Sequence, residues 1–368
     1  MALRWGIVGL GIGRAHAQAL QKVEGVELYA ACDVIPEILD AFCQEFAIPH
    51  RFTDFNKMLE SEVEAVSICT PHYLHAPQTI AALKAGKSVL CEKPLCITVS
   101  EADEMIATAK TAHGKAGIVF QYRTEPWAKV AKKVIEEGGT LVRGLYQAHH
   151  YRNQAYYGQG RWRGTWWGEG GGVLINQAIH DLDLMAFLVG LPQRVTARLA
   201  NWGHPQVEVE DLATGVLEWA TGAQLAVHIS SVGLGAPIRF DVTMDRYTLV
   251  LEDGRLRLGR FQPTLSEDLQ SNAEPWGKPK VQWEDLPIDK DQPHGHGEAI
   301  AAFARAVLRD EAPPTPLSEG LLSMELMNGF VLSHFTGRTV SLPVCRQEYE
   351  DLLSALKSGT VKLKRGEG

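Results

Sequence analysis

RWGIVGLGIGRAHAQALQKVEGVELYAACD, residues 4–33, decides the fold. A short apolar run, Arg4–Val8, ends in the glycine turn Gly9-Leu10-Gly11-Ile12-Gly13. A helical pattern follows over Arg14–Val23, then a second apolar run, Val26–Cys32, that stops at Asp33. Strand, glycine turn, helix, strand and acidic residue, in that order, form the setting a dinucleotide site requires. The glycines let the backbone approach a pyrophosphate, and the helix N-terminus offers free N–H groups and positive partial charge. Gly9, Gly11, Ile12 and Gly13 are therefore candidate cofactor contacts. Asp33 is placed to accept hydrogen bonds from the adenosine ribose. Its charge repels a 2′-phosphate, and Val34-Ile35-Pro36 bring no arginine, so NAD is expected over NADP. Arg14 stands where the last glycine of G-x-G-x-x-G would fall, so the flanking strands and Asp33 carry this reading, not the glycines alone.

The alternation continues outward. Pro36–Phe46 and Asp54–Leu59 read as helices, Val63–Thr70 as a strand, and Ala76–Ala85 as a helix closed by Gly86. Ser88–Cys91 is a strand, Thr98 caps a helix that runs to Ala112, and Ala116–Gln121 is a further strand. Strands alternating with helices imply an α/β, doubly wound parallel sheet of the Rossmann type. Ligands in such sheets sit outside the carboxyl ends of the strands. Thr70, Pro71, Glu92, Lys93 and Gln121 fall at those ends and are candidate cofactor contacts. Lys93 faces the crevice, where partial desolvation lowers a lysine's pKa and makes it a candidate proton acceptor. The bland alternative is a surface lysine paired with Glu92. His72 and His75 are read as shaping the cofactor cleft.

A second informative stretch is EGGGVLINQAIHDLDL, Glu169–Leu184. Asn176, His180 and Asp183 are spaced i, i+4, i+7 and share one face of a helix. An amide, an imidazole and a carboxylate turned the same way need partners or chemistry. A buried polar cluster capping a core helix is the alternative. Before it lies an aromatic segment, Tyr156 to Trp167, containing Arg161-Trp162-Arg163-Gly164. Tryptophans stack on sugar rings and arginines hold hydroxyls or carboxylates, so the segment reads as a pocket wall. For Tyr156, Trp166 and Trp167 a hydrophobic plug or subunit contact competes with that reading.

Farther on, Gly144–Tyr151, Gln193–Trp202, Asp211–Trp219, Gln224–Ser231, Arg239–Met244 and Tyr247–Leu251 read as strands of a mostly antiparallel sheet, one face of which is available for dimerisation. Leu256–Pro287 shows no pattern. His294-Gly295-His296 lacks further metal-ligand spacing, and no metal site is expected; it reads as the start of a helix over Glu298–Arg309. Glu319–Gly337 is a helix, and Val340–Pro343 a final strand or extended tie-down.

The chain's 368 residues suffice for two domains. At 45% hydrophobic and 22% charged it has an ordinary globular composition, and its net charge of −8 argues against a nucleic-acid binder. Met1–Val8 has no basic, apolar leader, and no run of about 18 apolar residues exists to span a membrane. Six cysteines without a CxxC pair fit a reduced, cytoplasmic protein.

GLGIGRAHA (Gly9–Ala17), TPHYLHAPQTIAALKAGKSVLCEKPL (Thr70–Leu95) and GGGVLINQAIHDLD (Gly170–Asp183) together resemble the Gfo/Idh/MocA oxidoreductases. The Cys91-Glu92-Lys93-Pro94 segment is the most specific of these matches. The resemblance implies an N-terminal Rossmann domain, 1–121, and a C-terminal α/β domain, 122–368, with a large, mostly antiparallel open sheet for substrate binding and oligomerisation. It implies hydride transfer between NAD(P) and a secondary hydroxyl carbon of a sugar, cyclitol or related carbohydrate. The free face of the C-terminal sheet, for its part, leads to the expectation of a homodimer or homotetramer. Lys93 matches the lysine that contacts the reacting hydroxyl, and His180 the histidine that relays its proton. Asn176 falls where inositol dehydrogenases carry aspartate. An amide orients a hydroxyl but cannot take its proton, so base chemistry would rest on Lys93 or His180. By the same resemblance Trp162 and Arg163 fall near nicotinamide and substrate. Separately, His75, beside a strand end, is a candidate cofactor contact, and Tyr122 and Arg123 are candidate substrate contacts. Two rivals share the scaffold: a glycosidase-like enzyme that recycles bound NAD, and a silent sensor of NAD and sugar.

Overall fold

The computed structural model describes residues 2–364; Met1 and residues 365–368, at the two outer limits of the expected domains, lie outside the described residues. Six parallel strands make the first sheet: β1 (Leu3–Val8), β2 (Val26–Cys32), β3 (His50–Phe52), β4 (Ala65–Ile68), β5 (Ser88–Cys91) and β6 (Ala116–Ile118). Their spatial order is β3-β2-β1-β4-β5-β6, which reverses direction between β1 and β4. That reversal is where a doubly wound sheet opens a crevice for a dinucleotide. β4 and β5 are buried at every residue, as expected of strands covered by helices on both faces.

The first helix starts earlier than its apolar period suggests, at Leu10 rather than Arg14, and ends at Leu20. Gly9 alone makes the turn into it. Its φ is +82°, its N–H donates to the Cys32 carbonyl at 3.0 Å, and a Cβ there would sit 2.6 Å from the Cys69 carbonyl oxygen. Only glycine tolerates that combination. The helix Val99–Thr111 opens with a reciprocal cap between Thr98 and Glu101.

The chain forms two compact units. One gathers Met1–Thr124 with two segments distant in sequence, Arg161–Gly170 and Pro293–Met324. Its core includes Trp5, Ile7, Leu20, Phe42 and Leu90, joined by Ile300 and Phe303 of the helix Gly295–Leu308; Trp5 and Phe303 meet edge to face.

The other unit, Glu125–Gly160, Gly171–Gln292 and Glu325–Gly368, is built on nine strands. They are β7 (Leu141–His149), β8 (Arg194–Ala200), β9 (Leu212–Glu218), β10 (Gln224–Ser230), β11 (Arg239–Met244), β12 (Tyr247–Glu252), β13 (Arg255–Gln262), β14 (Lys280–Asp285) and β15 (Val340–Ser341), in the order β14-β13-β12-β11-β7-β10-β9-β8-β15. Among the described residues only the β7–β10 pair of this sheet is parallel. Along β8 and β9 alternate residues are buried, so one face carries the core. On that face Gly215 leaves room for Phe330 of the helix Leu317–Thr336.

Two departures from the sequence expectation have physical causes. The stretch Leu256–Pro287, unpatterned as sequence, holds most of β13, the helix Leu265–Ser271 and β14. β14 is exposed at every position, so it never acquired the alternation that marks a half-buried strand. The helix Arg346–Lys357, also unread, buries only Tyr349, Leu353 and Leu356, a narrow apolar stripe. Among the described residues no helix is long and apolar enough to cross a membrane.

Candidate functional site

The three glycines divide the work of a nucleotide turn. Gly9 makes the bend. Gly11 faces open space, with nothing within 4 Å of an added Cβ. Gly13 lets the helix close on β1, since a Cβ there would meet the Ile7 side chain at 2.8 Å. A tight turn, room for a pyrophosphate and close helix–strand packing are what dinucleotide binding asks of three glycines. Gly13 thus does the packing that Arg14, one residue on, cannot. Arg14 instead reaches Glu45 and lies over the Phe42 and Phe46 rings. Asp33 accepts the Leu10 N–H at 3.1 Å and the Ile35 N–H at 3.0 Å, which fixes its carboxylate beside the turn. Beyond it Val34 is 81% exposed and Ile35 is also exposed, so the two residues that follow Asp33 present apolar side chains. These residues fit NAD. Ile12, half exposed, sits on the same turn.

The carboxyl ends of β4 and β5 carry the next group. Thr70 Oγ1 donates to Gln78 Oε1 at 2.6 Å. His75 is buried with Nδ1 2.6 Å from the Pro94 carbonyl and Nε2 2.8 Å from the Thr70 carbonyl, so one ring ties the two strand ends together. Burial lowers its pKa against those two bonds, and the nearby Lys93 charge lowers it further. His72 Nδ1 donates to the Glu169 carbonyl at 3.0 Å, and burial pushes its pKa well down; His75, Lys93 and Arg163 act in the same direction. Lys93 is half buried, with its backbone N–H 3.1 Å from Glu92 Oε2.

Glu92 is not the exposed partner of a surface lysine. It is buried, and its Oε1 accepts from His16 Nε2 at 3.0 Å and His296 Nε2 at 2.5 Å. Burial alone would raise its pKa; the two imidazole N–H groups outweigh that and hold the carboxyl well below its ordinary range. His296, read in sequence as part of a helix start, does begin the helix Gly295–Leu308, with His294 as its N-cap residue. Its contact with Glu92 spans 204 residues and leaves no local signal.

Gln121, Tyr122 and Arg123 form a single 3₁₀ turn, Gln121–Thr124, just past β6. Arg123 pairs with Glu319 and lies over the Phe120 ring. Of the aromatic segment, Arg161–Gly170 belongs to this same unit, whereas Tyr156 and Tyr157 belong to the other. Trp162 packs edge-on against His72, with ring centroids 4.9 Å apart, and Arg163 stacks over Trp162 at 4.6 Å. Buried Glu169 accepts the Gly164 N–H and lies 3.9 Å from Arg163. Trp166 is 2% exposed and plugs the loop, whereas Trp167 is exposed and touches Tyr73.

Asn176 and His180 belong to the second unit. The single helix expected over them is broken. Val173–Asn176 is one short helix and Ile179–Val189 the next, joined by a wide turn in which the Ala178 N–H reaches back five residues to the Val173 carbonyl at 2.8 Å. Such π-type turns rotate the face that follows, so the i, i+4, i+7 spacing does not place Asn176, His180 and Asp183 on one straight face. All three are buried. Asn176 Oδ1 accepts from the Tyr156 hydroxyl at 3.1 Å. The neighbouring Asp181 is fully buried and accepts from Tyr146 and His150.

What anchors this segment is Glu210, which sequence reading missed. Its carboxylate accepts the Gly172 and Leu174 N–H groups at 2.9–3.1 Å, and its carbonyl accepts Val173 N–H at 2.9 Å. Gly172 is required there: a Cβ would fall 1.8 Å from the Glu210 carbonyl oxygen. Burial pushes the Glu210 pKa up to about 7 against the pull of those backbone donors. A carboxyl raised in the folded state binds more protons there than in the unfolded chain, so its contribution is full below the unfolded value and is lost as pH rises through about 7. Glu210→Gln keeps an acceptor but removes the titration. The thermal midpoint of the native protein is expected to fall relative to this variant between about pH 5 and 7.5; parallel curves for the two proteins across that window would exclude the effect.

Residues 3–120 match the model of an oxidoreductase family with an NAD-binding Rossmann fold, GFO_IDH_MocA, and residues 129–256 match the model of the GFO/IDH/MocA C-terminal domain. A 1,5-anhydro-D-fructose reductase of Ensifer adhaerens is 28% identical over 349 residues, covering 92% of this chain and 98% of the relative. An inositol 2-dehydrogenase of Salmonella typhimurium is 33% identical over 255 residues, 67% of this chain and 73% of the relative. Among solved structures, the WlbA dehydrogenase of Bordetella pertussis, in complex with NADH and UDP-GlcNAcA, superposes with a TM-score of 0.79 at 26% identity, over 94% of this chain and 100% of that one.

Proposed function

We propose that this chain, which belongs to the Gfo/Idh/MocA family of NAD-binding oxidoreductases, is a dehydrogenase acting on a secondary hydroxyl carbon of a sugar, cyclitol or sugar derivative. The observation that carries the reading is the division of labour among Gly9, Gly11 and Gly13 beside an anchored Asp33. NAD, when bound, accepts the carbinol hydride. Residues 1–121 hold the cofactor: the glycine turn with Ile12 receives the pyrophosphate, and Asp33 the adenosine ribose. Thr70, Pro71, His75, Glu92, Lys93 and Gln121, at the strand ends, hold the nicotinamide half, with Trp162 and Arg163. Residues 122–368 supply most substrate contacts and the oligomer surface.

Lys93, Asn176 and His180 are the catalytic set, and Tyr122, Arg123 and Arg163 add substrate contacts. Asn176 orients the substrate hydroxyl by hydrogen bonding, since its amide cannot accept a proton at neutral pH. Lys93 or His180 removes the hydroxyl proton as the carbinol carbon is oxidised. Relatives that reduce an anhydro sugar or oxidise an inositol support the substrate class. Five buried thiols among six free cysteines support a cytoplasmic home. The alternating, half-covered strands β8 and β9 support assembly as a homodimer or homotetramer through the open face of the second sheet.

The test is NADH formation by purified protein with NAD and a panel of monosaccharides, cyclitols, uronic acids, glycosides and sugar nucleotides. Turnover on one class identifies the substrate. A flat trace across the panel, with NAD bound, sinks the dehydrogenase reading in favour of internal recycling or sensing.

A further inference from the structure

The carboxylate of Glu92 is the meeting point of an internal proton-donor network. Oε1 accepts from both His16 Nε2 and His296 Nε2, while Oε2 takes the Lys93 backbone N–H. His16 is fully buried, and burial keeps its pKa below the ordinary value despite its bond to Glu92. A neutral His16 that donates from Nε2 must accept at Nδ1. Ser67 Oγ lies 2.9 Å from that Nδ1 and itself accepts from Trp5 Nε1 at 2.9 Å, leaving the serine hydroxyl hydrogen for His16. Donors and acceptors then run in one direction: Trp5 to Ser67, Ser67 to His16, His16 to Glu92. Both Glu92 oxygens are satisfied, and every residue named lies in the first unit.

The same three groups, His16, Glu92 and His296, have their ligand atoms within 4.8 Å of one another and could be taken for a metal site. Their spacing argues otherwise. Two ligands on a tetrahedral zinc, each about 2.0–2.1 Å from the metal, stand about 3.3 Å apart. The contacts to Glu92 Oε1 are 3.0 and 2.5 Å, which are hydrogen-bond distances.

We infer that His296 is a positioning residue for Lys93: with His16 it hydrogen-bonds and orients Glu92, whose other oxygen holds the Lys93 main chain. This rests on the reading of Lys93 as a catalytic group. The charges that bear on Glu92 come from several elements. His16 lies on the first helix, His296 on Gly295–Leu308, His75 on His75–Lys84, and the buried thiols Cys69 and Cys91 near the ends of β4 and β5. Lys93 in turn acts on His72 and His75. In this apolar setting Glu92 is a bare negative charge beside a lysine unless its two imidazole donors blunt it. Removing one donor strengthens the field at Lys93, favours the ammonium and loosens the main chain that aims it.

The measurement is the pH profile of kcat/KM on the substrate found by the panel, for the native protein, His296→Ala and His296→Gln. The alanine variant is expected to lose about tenfold in kcat or more, as for a reacting group displaced by a fraction of an ångström. Its KM for NAD should stay near the native value, and the limb governed by Lys93 should move to higher pH. His296→Gln, whose amide keeps a donor, is expected to restore both. Superimposable profiles for native and alanine proteins, or a glutamine variant that behaves as alanine does, would overturn the proposal. So would one zinc per chain by elemental analysis. His296→Met, which fills the space without a donor, replaces alanine if that variant does not fold. Lys93→Met separates the two readings: if it keeps turnover and the same limb, the assignment of Lys93 fails; if it is dead while His296→Ala is unchanged, only the role of His296 fails.

Discussion

Lys93→Met is expected to lower turnover about 10²–10⁴-fold, the range a positioned general base contributes, while NAD still binds. The methionine keeps the side chain's length and apolar stem, and only the amine is lost. The backbone N–H that anchors the residue to Glu92 is untouched, so the loop should stay in place. The nucleotide contacts assigned to Gly9, Gly11, Gly13 and Asp33 lie on other elements, and NAD-dependent quenching of tryptophan fluorescence should persist. Lys93→Arg is expected to be nearly as inactive: a guanidinium keeps the charge but does not give up its proton at working pH. Turnover of Lys93→Met within about tenfold of native would place the base elsewhere, and His180→Ala would then be the variant that carries the large loss.

The second large effect concerns cofactor choice. Asp33→Asn with Val34→Arg is expected to invert the preference from NAD to NADP. Hydrogen bonds to a charged group contribute about 1.5–3 kcal/mol, so losing the carboxylate at the ribose should cost NAD about ten- to a hundredfold in kcat/KM. Asparagine is chosen because Asp33 also accepts the Leu10 and Ile35 N–H groups, and an amide oxygen can keep one of these bonds. Position 34 lies on an open apolar rim, where an arginine has room to meet a 2′-phosphate. Steady-state kinetics with both cofactors decides it. An unchanged preference in the double variant would remove Asp33 from the adenosine site.

Much of the first unit was legible residue by residue. A buried parallel strand is a short apolar run, a helix has its own period, and a glycine turn between them is local chemistry. The order of those signals predicts a doubly wound parallel sheet; the spatial order β3-β2-β1-β4-β5-β6 and the short, largely exposed edge strand β3, His50–Phe52, came only from the structure. Lys93 could be singled out because the end of a buried strand marks where ligands sit. Even there the boundary of the first helix slipped, because Gly11 and Gly13 break the apolar pattern while remaining helical.

The second unit was read less completely, for identifiable reasons. β14 has no buried face and so no alternation. The helix assumed across Asn176 and His180 is interrupted by a wide turn that helical spacing cannot reveal, because residues on both sides of it are buried, polar and apolar alike, so no one face marks a period.

Sequence alone thus determined the class of fold, the nucleotide turn, the choice of NAD and the identity of Lys93, Asn176 and His180 as the groups to watch. Tertiary structure alone decided what holds them. His296 meets Glu92 across 204 residues, Glu210 pins the backbone that leads to Asn176 across 38, and His75 joins two strand ends through carbonyl oxygens that no side-chain pattern encodes. Secondary structure follows from short-range periodicity, which a chain displays in its own order. The partners of a buried charge are set by which distant segments the core brings together, and a carboxylate or imidazole reads the same in sequence whether it meets water or another buried group.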